Sequence, residues 1–260
     1  MNHEPEQINP ADVETLLRRF VEAARRHDLL IETLGELGGH PLLLLRAPMR
    51  RARPRLLIAA GFHGNEPAGC WGALRFLEQA DGQLLDRIEL SMLPVVNPTG
   101  IRANRRNNDW GQNPNAGYFH PAADSLGPSF EGKLLLANLE RLSELAADGL
   151  LTLHEDPEQQ KFYVYTGETT PTPGAFSGRM AAIGEQFFPL VPDGPLEGGQ
   201  ACDGVIFNFC ADSFDDAIFH RGVPRYACTE TPGLVDFELR VRANVAIIEE
   251  FVHFTLSPES

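Results

Sequence analysis

The segment Arg55-Leu56-Leu57-Ile58-Ala59-Ala60 runs straight into Gly61 with no polar residue alternating along it. A strand of this kind hides both of its faces, and such strands belong to sheets covered by helices on each side. Similar short apolar runs recur at Ile88–Val96, at Leu150–Leu153 (ending on His154), and at Arg225–Thr229 (ending on Glu230). Helical patterns separate them. Pro67–Gln79 suits a helix, as do Leu135, Leu139, Leu142 and Ala146 at i, i+4, i+7, i+11. Met180, Ile183 and Phe187 mark another, and Phe237, Val241, Val245, Ile248 and Val252 a closing one. Strands alternating with helices predict an α/β fold, with a mixed, mostly parallel sheet and helices on both faces.

The N-terminal part completes this frame. Asn9-Pro10 reads as a helix cap with Pro in the first turn, and Val13, Leu16, Leu17, Phe20, Val21 and Ala24 form an apolar stripe ending near Arg26-His27. Leu29–Leu34 and Pro41–Leu45, separated by Gly38-Gly39, read as a hairpin-like pair at a sheet edge. Phe162–Tyr165 suits a short strand, and 189–204, rich in Pro and Gly, reads as loop. No repeat or linker interrupts the chain. One domain over 1–260 is expected, with a helix and edge strands at 9–48 and a core at 54–254.

Sheets of this class bind ligands beyond the carboxyl ends of their central strands. The polar residues there are His63 and Glu66 after the first strand, His154 to Asp156 after the next, and Glu230 after the last. Three residues apart at a loop-to-helix junction, His63 and Glu66 can aim at one centre, and His154 reaches it from a neighbouring strand. Two imidazoles and a carboxylate make the usual catalytic zinc set, with a fourth position for water. Such a site also needs a carboxylate that is not a ligand, to move the proton of the attacking water. Glu230 is the candidate, its strand stopped by Thr231-Pro232-Gly233.

From Asn97 to about Gly127 the periodicity vanishes, and Asn97, Asn104, Asn107, Asn108, Asn113 and Asn115 fall in this stretch. Loops this long are usually functional. Charge narrows the partners: 22 Lys+Arg against 36 Asp+Glu give −14, which repels phosphate backbones and anionic membranes. Cys70, Cys202, Cys210 and Cys228 show no CxxC pairing, so reduced thiols are expected rather than a disulfide scaffold. Met1–Gln7 lacks the apolar run of a signal peptide, and no stretch is apolar for 18 residues. A cytoplasmic protein is the expectation.

Gly61-Phe62-His63-Gly64-Asn65-Glu66-Pro67-Ala68-Gly69 resembles the zinc-binding segment of the M14 metallocarboxypeptidases, a superfamily that includes the succinylglutamate desuccinylases and aspartoacylases. Asn97-Pro98-Thr99-Gly100 is similar to a downstream Asn-Pro-Asp-Gly segment of that family. Leu153-His154-Glu155-Asp156 sits where the family has its second zinc histidine, and Thr229-Glu230-Thr231-Pro232 looks like the segment with its general base. The resemblance implies a mixed sheet of about eight strands and one zinc ion held by His63, Glu66 and His154. It implies Glu230 as proton shuttle and an arginine, Arg105 or Arg106, for the oxyanion. The family's Asn-Arg pair, which grips a substrate carboxylate, would fall near Asn113-Pro114; Asn113 fits and proline cannot clamp. A carboxylate would then need Arg102 or Arg106.

The expected activity is zinc-dependent cleavage of a C-terminal peptide bond or related amide in a small peptide. The alternatives are deacylation of an N-acyl amino acid, and a non-catalytic descendant binding metal or peptide. Lesser features are read more blandly: Glu155-Asp156 orients an imidazole or serves a turn, and Phe162, Tyr163 and Tyr165 are core or pocket wall. Cys70 is a buried thiol, and Asp203, Asp212, Asp215 and Asp216 are solvated loop acids.

Overall fold

A computed structural model describes residues 9–48, 53–119 and 127–257. The segment Met1–Gln7, read above for a leader, lies outside them. The chain opens with α1 (Val13–Arg26), the hairpin β1 (Leu30–Leu37) and β2 (His40–Arg46), then β3 (Arg55–Ala60). Next come α2 (Ala68–Gln79), α3 (Gly82–Leu85), β4 (Glu89–Leu93), α4 (Pro98–Ala103), α5 (Phe130–Ala137), α6 (Leu139–Leu145) and β5 (Gly149–Asp156). The last part holds β6 (Tyr163–Glu168), α7 (Ala175–Glu185), β7 (Gly194–Leu196), β8 (Gly199–Cys202), β9 (Val205–Phe207), α8 (Phe214–Phe219), β10 (Arg225–Pro232) and α9 (Phe237–Leu256).

Among the described residues ten strands share one sheet in the order β1-β2-β4-β3-β5-β10-β6-β9-β8-β7. The central block β4-β3-β5-β10 is parallel. Antiparallel pairs flank it at β1-β2, β2-β4 and β10-β6, and close the far edge at β7-β8-β9. The apolar runs behave as their pattern dictates: Leu56, Ile58 and Ala60 of β3 enter one core, Leu57 and Ala59 the other. The first core packs under α1, α2, α7 and α9, the second under α5, α6 and α8.

Three local expectations are corrected. The sheet has ten strands rather than about eight, because 189–204 is not all loop: it holds β7 and β8, with β9 directly after it, and strands of three or four residues are too short to show a period. The turns between them use left-handed backbone at Glu197, Gly198, Asp203 and Gly204, which is what the Gly signal marks. The helix over Leu135–Ala146 is broken at Asn138, which leaves helical geometry and caps α5 with bonds from its N–H to Leu135 and Leu136. At the N-terminus the cap is Asp12, whose side chain accepts from Thr15 N–H, rather than Asn9.

Candidate active site and metal centre

The turn after β3 is built by close approach of backbone to backbone. Gly61 takes φ +71°, and a Cβ on Gly64 would lie 1.8 Å from the carbonyl carbon of Gly100 in α4, so only glycine fits. Asn97 caps α4 by accepting from Gly100 N–H at 2.8 Å, and donates its amide to Phe62 O at 3.1 Å and Arg106 O at 3.3 Å. Gly64 N–H also donates to Arg106 O, at 3.3 Å. One asparagine thus ties the histidine turn to the loop opposite it.

His63, Glu66 and His154 meet as the strand-end rule requires, buried and with ligand atoms within 4.8 Å of one another. Glu66 lies between the rings: Oε1 is 2.7 Å from Nδ1 of His63, and Oε2 is 2.8 Å from Nδ1 of His154. Burial pushes the Glu66 carboxyl up, but the imidazoles outweigh it and hold the group well below the usual carboxylate range. Phe62 stacks on His154 at 5.4 Å between centroids and fixes the plane of that ring.

The remaining nitrogen of each ring meets an asparagine of the long loop. Asn113 Oδ1 lies 3.0 Å from Nε2 of His63 and accepts from Asn115 N–H at 2.9 Å, so this atom is the amide oxygen and His63 carries its proton on Nε2. An acceptor on Nε2 is the partner that leaves Nδ1 as the ring atom available to a metal. Nε2 of His154 lies 3.3 Å from Nδ2 of Asn115, whose Oδ1 accepts from Phe214 N–H at the start of α8. Asn113 therefore orients the ring of His63, and it also lines the cavity beside it.

Around this centre lies a cavity of about 580 Å³, whose lining includes His63, His154, Asn113, Arg106 and Glu230. Glu230 pairs in register with His154 across β10 and β5. Burial drives its carboxyl well above the ordinary range, helped by the charges of Glu66 and Asp156 and opposed by Arg106. Of the three loop arginines, the structure brings in only Arg106, which donates to Glu66 Oε1 at 3.1 Å. Arg102 and Arg105 are exposed and both held by Asp109 at 2.7 Å, outside the cavity lining, so neither is brought to the reacting centre.

Several other readings sharpen. Glu155 accepts from Ala68 N–H at 2.6 Å and pairs with Arg240 of α9, joining α2, β5 and α9; burial brings its carboxyl up to about 7 against the pull of Arg240. Phe162 is core, whereas Tyr163 and Tyr165 line the cavity. Cys70 is buried on α2. Asp215 and Asp216 are not solvated: they are 2% and 3% exposed at the start of α8. Asp216 is consumed by a capping box with Ser213, but Asp215 lines the cavity. The Ser213-x-x-Asp216 box marks the start of α8 but carries no sign that Asp215 is buried.

The fold and this donor set define an α/β metallohydrolase architecture. The catalytic-domain family of succinylglutamate desuccinylase/aspartoacylase matches residues 52–166, a span holding His63, Glu66 and His154 but ending before Glu230. A "putative metallopeptidase" from Shewanella amazonensis SB2B is 39% identical over 98% of this chain and 97% of its own, with TM-score 0.92. A second protein of that description, from Shewanella denitrificans OS217, is 38% identical over 98% and 94%, with TM-score 0.91. Carboxypeptidase A from Helicoverpa armigera shares the fold at 15% identity, TM-score 0.64, over 100% of this chain and 78% of its own. No curated protein is similar enough to count as a match. The chain belongs to the M14-like metallocarboxypeptidase superfamily, with its succinylglutamate desuccinylase/aspartoacylase catalytic domain. Among the described residues no helix is long and apolar enough to cross a membrane.

Proposed function

We propose that the protein is a zinc-dependent hydrolase that cleaves a C-terminal peptide bond or a related amide and releases a free amino acid. The observation that carries this reading is the meeting, in one cavity, of a buried His-Glu-His donor set, Glu230 and Arg106. The donor set fits zinc: two imidazoles and one carboxylate, close together and buried, with the Asn113 amide oxygen on Nε2 of His63 leaving Nδ1 for the metal. Zinc held there supplies Lewis acidity to the amide carbonyl and eases deprotonation of an attacking water.

The chain's own groups supply the rest. Glu230, beside the donor set and with a carboxylate made more basic by burial, suits taking the proton of that water and passing it to the leaving nitrogen. Arg106 reaches the donor set from the loop and presents a cation where negative charge grows on the carbonyl oxygen. Asn113 holds His63 in one plane and one tautomer.

A second reading, deacylation of an N-acyl amino acid, is favoured by the family match over residues 52–166. The two readings share every group named and differ in the acyl half of the substrate. Zinc-reconstituted protein assayed against N-acyl dipeptides and N-acyl amino acids separates them. Hydrolysis of either set at one zinc per chain is the expected result, and no turnover of any member sinks both readings.

A further inference from the structure

Glu66 stands just before a helix that its own sequence does not cap. Pro67 occupies the N-cap of α2 and offers no side-chain acceptor to the first turn, although the opening N–H groups of a helix need one. The acceptor comes instead from a residue 87 positions away: Glu155 Oε1 takes the Ala68 N–H at 2.6 Å. The backbone N–H of Glu155 in turn donates to Glu66 Oε2 at 3.3 Å. One residue of β5, next to His154, thus fixes both the helix behind Glu66 and an oxygen of Glu66 itself.

A buried carboxylate in this position needs a cation, and Arg240 of α9 supplies it. The Glu155 side chain is 1% exposed and that of Arg240 13%, so solvent and salt screen the pair little. Arg240 is held from two other sides as well. Its Nε donates to Val235 O at 3.0 Å, in the turn that follows β10, and its guanidinium lies over the Phe237 ring at 5.4 Å. The base beneath it is firm: a Cβ on Gly72 of α2 would lie 2.4 Å from Cβ of Asn244 in α9, so the two helices meet backbone to side-chain root. One guanidinium therefore joins the helix after Glu66, the strand that carries His154 and the turn beyond the strand that carries Glu230.

We propose that Arg240 and Glu155 are positioning residues for the metal: they cap α2 from outside and so hold Glu66 where His63 and His154 can share an ion with it. This rests on the zinc reading of the donor set and not on which amide is cleaved.

The experiment is zinc affinity, measured by competition with a chromophoric chelator, for the wild type, Arg240→Met, Glu155→Gln and the double variant. Arg240→Met is expected to weaken zinc binding by about 10–100-fold, the loss typical of a group that orients a ligand from behind. Glu155→Gln is the milder probe: its amide oxygen still accepts from Ala68 N–H, but its NH2 turns on the guanidinium, so a smaller, measurable loss is expected. The double variant is expected to bind zinc no more weakly than Arg240→Met alone, because both substitutions open one clamp. Ile248→Val, in the core face of α9, is the comparison; it is expected to lower the Tm of the metal-free protein and leave zinc affinity unchanged. Wild-type affinity in Arg240→Met, or in Glu155→Gln should the first not fold, overturns the proposal and leaves the zinc reading standing. Losses that add in the double variant, or an equal loss in Ile248→Val, overturn it too. A wild type that takes up no zinc overturns the zinc reading and the proposal together.

Discussion

The cavity has two kinds of wall, and they are held by different physics. Its floor is made of strand ends: His63 after β3, His154 in β5 and Glu230 in β10 are placed by the register of a parallel block buried on both faces. Its rim, residues 97–119, has one short helix and otherwise no ladder to rest on. There asparagine side chains do the work of secondary structure. Asn97 and Asn115 accept from Gly100 and Phe214, and Asn108 accepts from the N–H groups of Trp110 and Gln112 while donating to Glu131 at 2.7 Å. Asn107 donates to Gly111 O, and Asn104 takes the left-handed turn that ends α4. The floor positions groups through many shared contacts; the rim positions each through one or two bonds.

Substitutions therefore separate the two walls. The largest effect belongs to the floor: His63→Ala is expected to abolish stoichiometric zinc, read by elemental analysis after dialysis, and with it all turnover. Glu230→Gln should keep zinc while kcat falls by about 10²–10⁴-fold; turnover at the wild-type rate would remove Glu230 from the chemistry. On the rim, Arg106→Ala should lower kcat/KM by about 10²–10³-fold, the loss typical of one oxyanion donor. Asn113→Ala should weaken zinc binding by about 10–100-fold, measured by competition with a chelator, because it frees the ring of His63. The smallest effect is Arg105→Ala, expected within about twofold of wild type in steady-state rate because exposed pairs contribute little. An Arg105 loss equal to that of Arg106 would erase the contrast between a rim residue turned inward and one turned out.

The same contrast explains what the chain made legible. Floor residues could be named from sequence because an unbroken apolar run ending on a polar residue has one reading in a parallel sheet. Rim residues could not be sorted. Arg102, Arg105 and Arg106 are alike in composition, and only the placement of Asp109 decides which two are tied outside. Asn113 was noticed by position but its bond to His63 was not, since a hydrogen bond to a residue 50 positions away leaves no local pattern. Asp215 looked like one of several loop acids because its burial is set by tertiary packing of α8, not by its neighbours in sequence. The short strands β7, β8 and β9 escaped for want of length.

The position of β10 carries a consequence for the order in which the protein comes into being. It is the last strand in the chain, yet it lies inside the sheet between β5 and β6. Until a ribosome has passed Pro232, those two strands have no partner between them and the sheet stays split. His63, Glu66 and His154 are synthesised well before that moment, and Glu230 arrives with the strand that closes the gap. A growing chain therefore acquires its proposed metal ligands first and its proposed proton carrier last. The proposed hydrolysis therefore has to wait for the insertion that completes the fold.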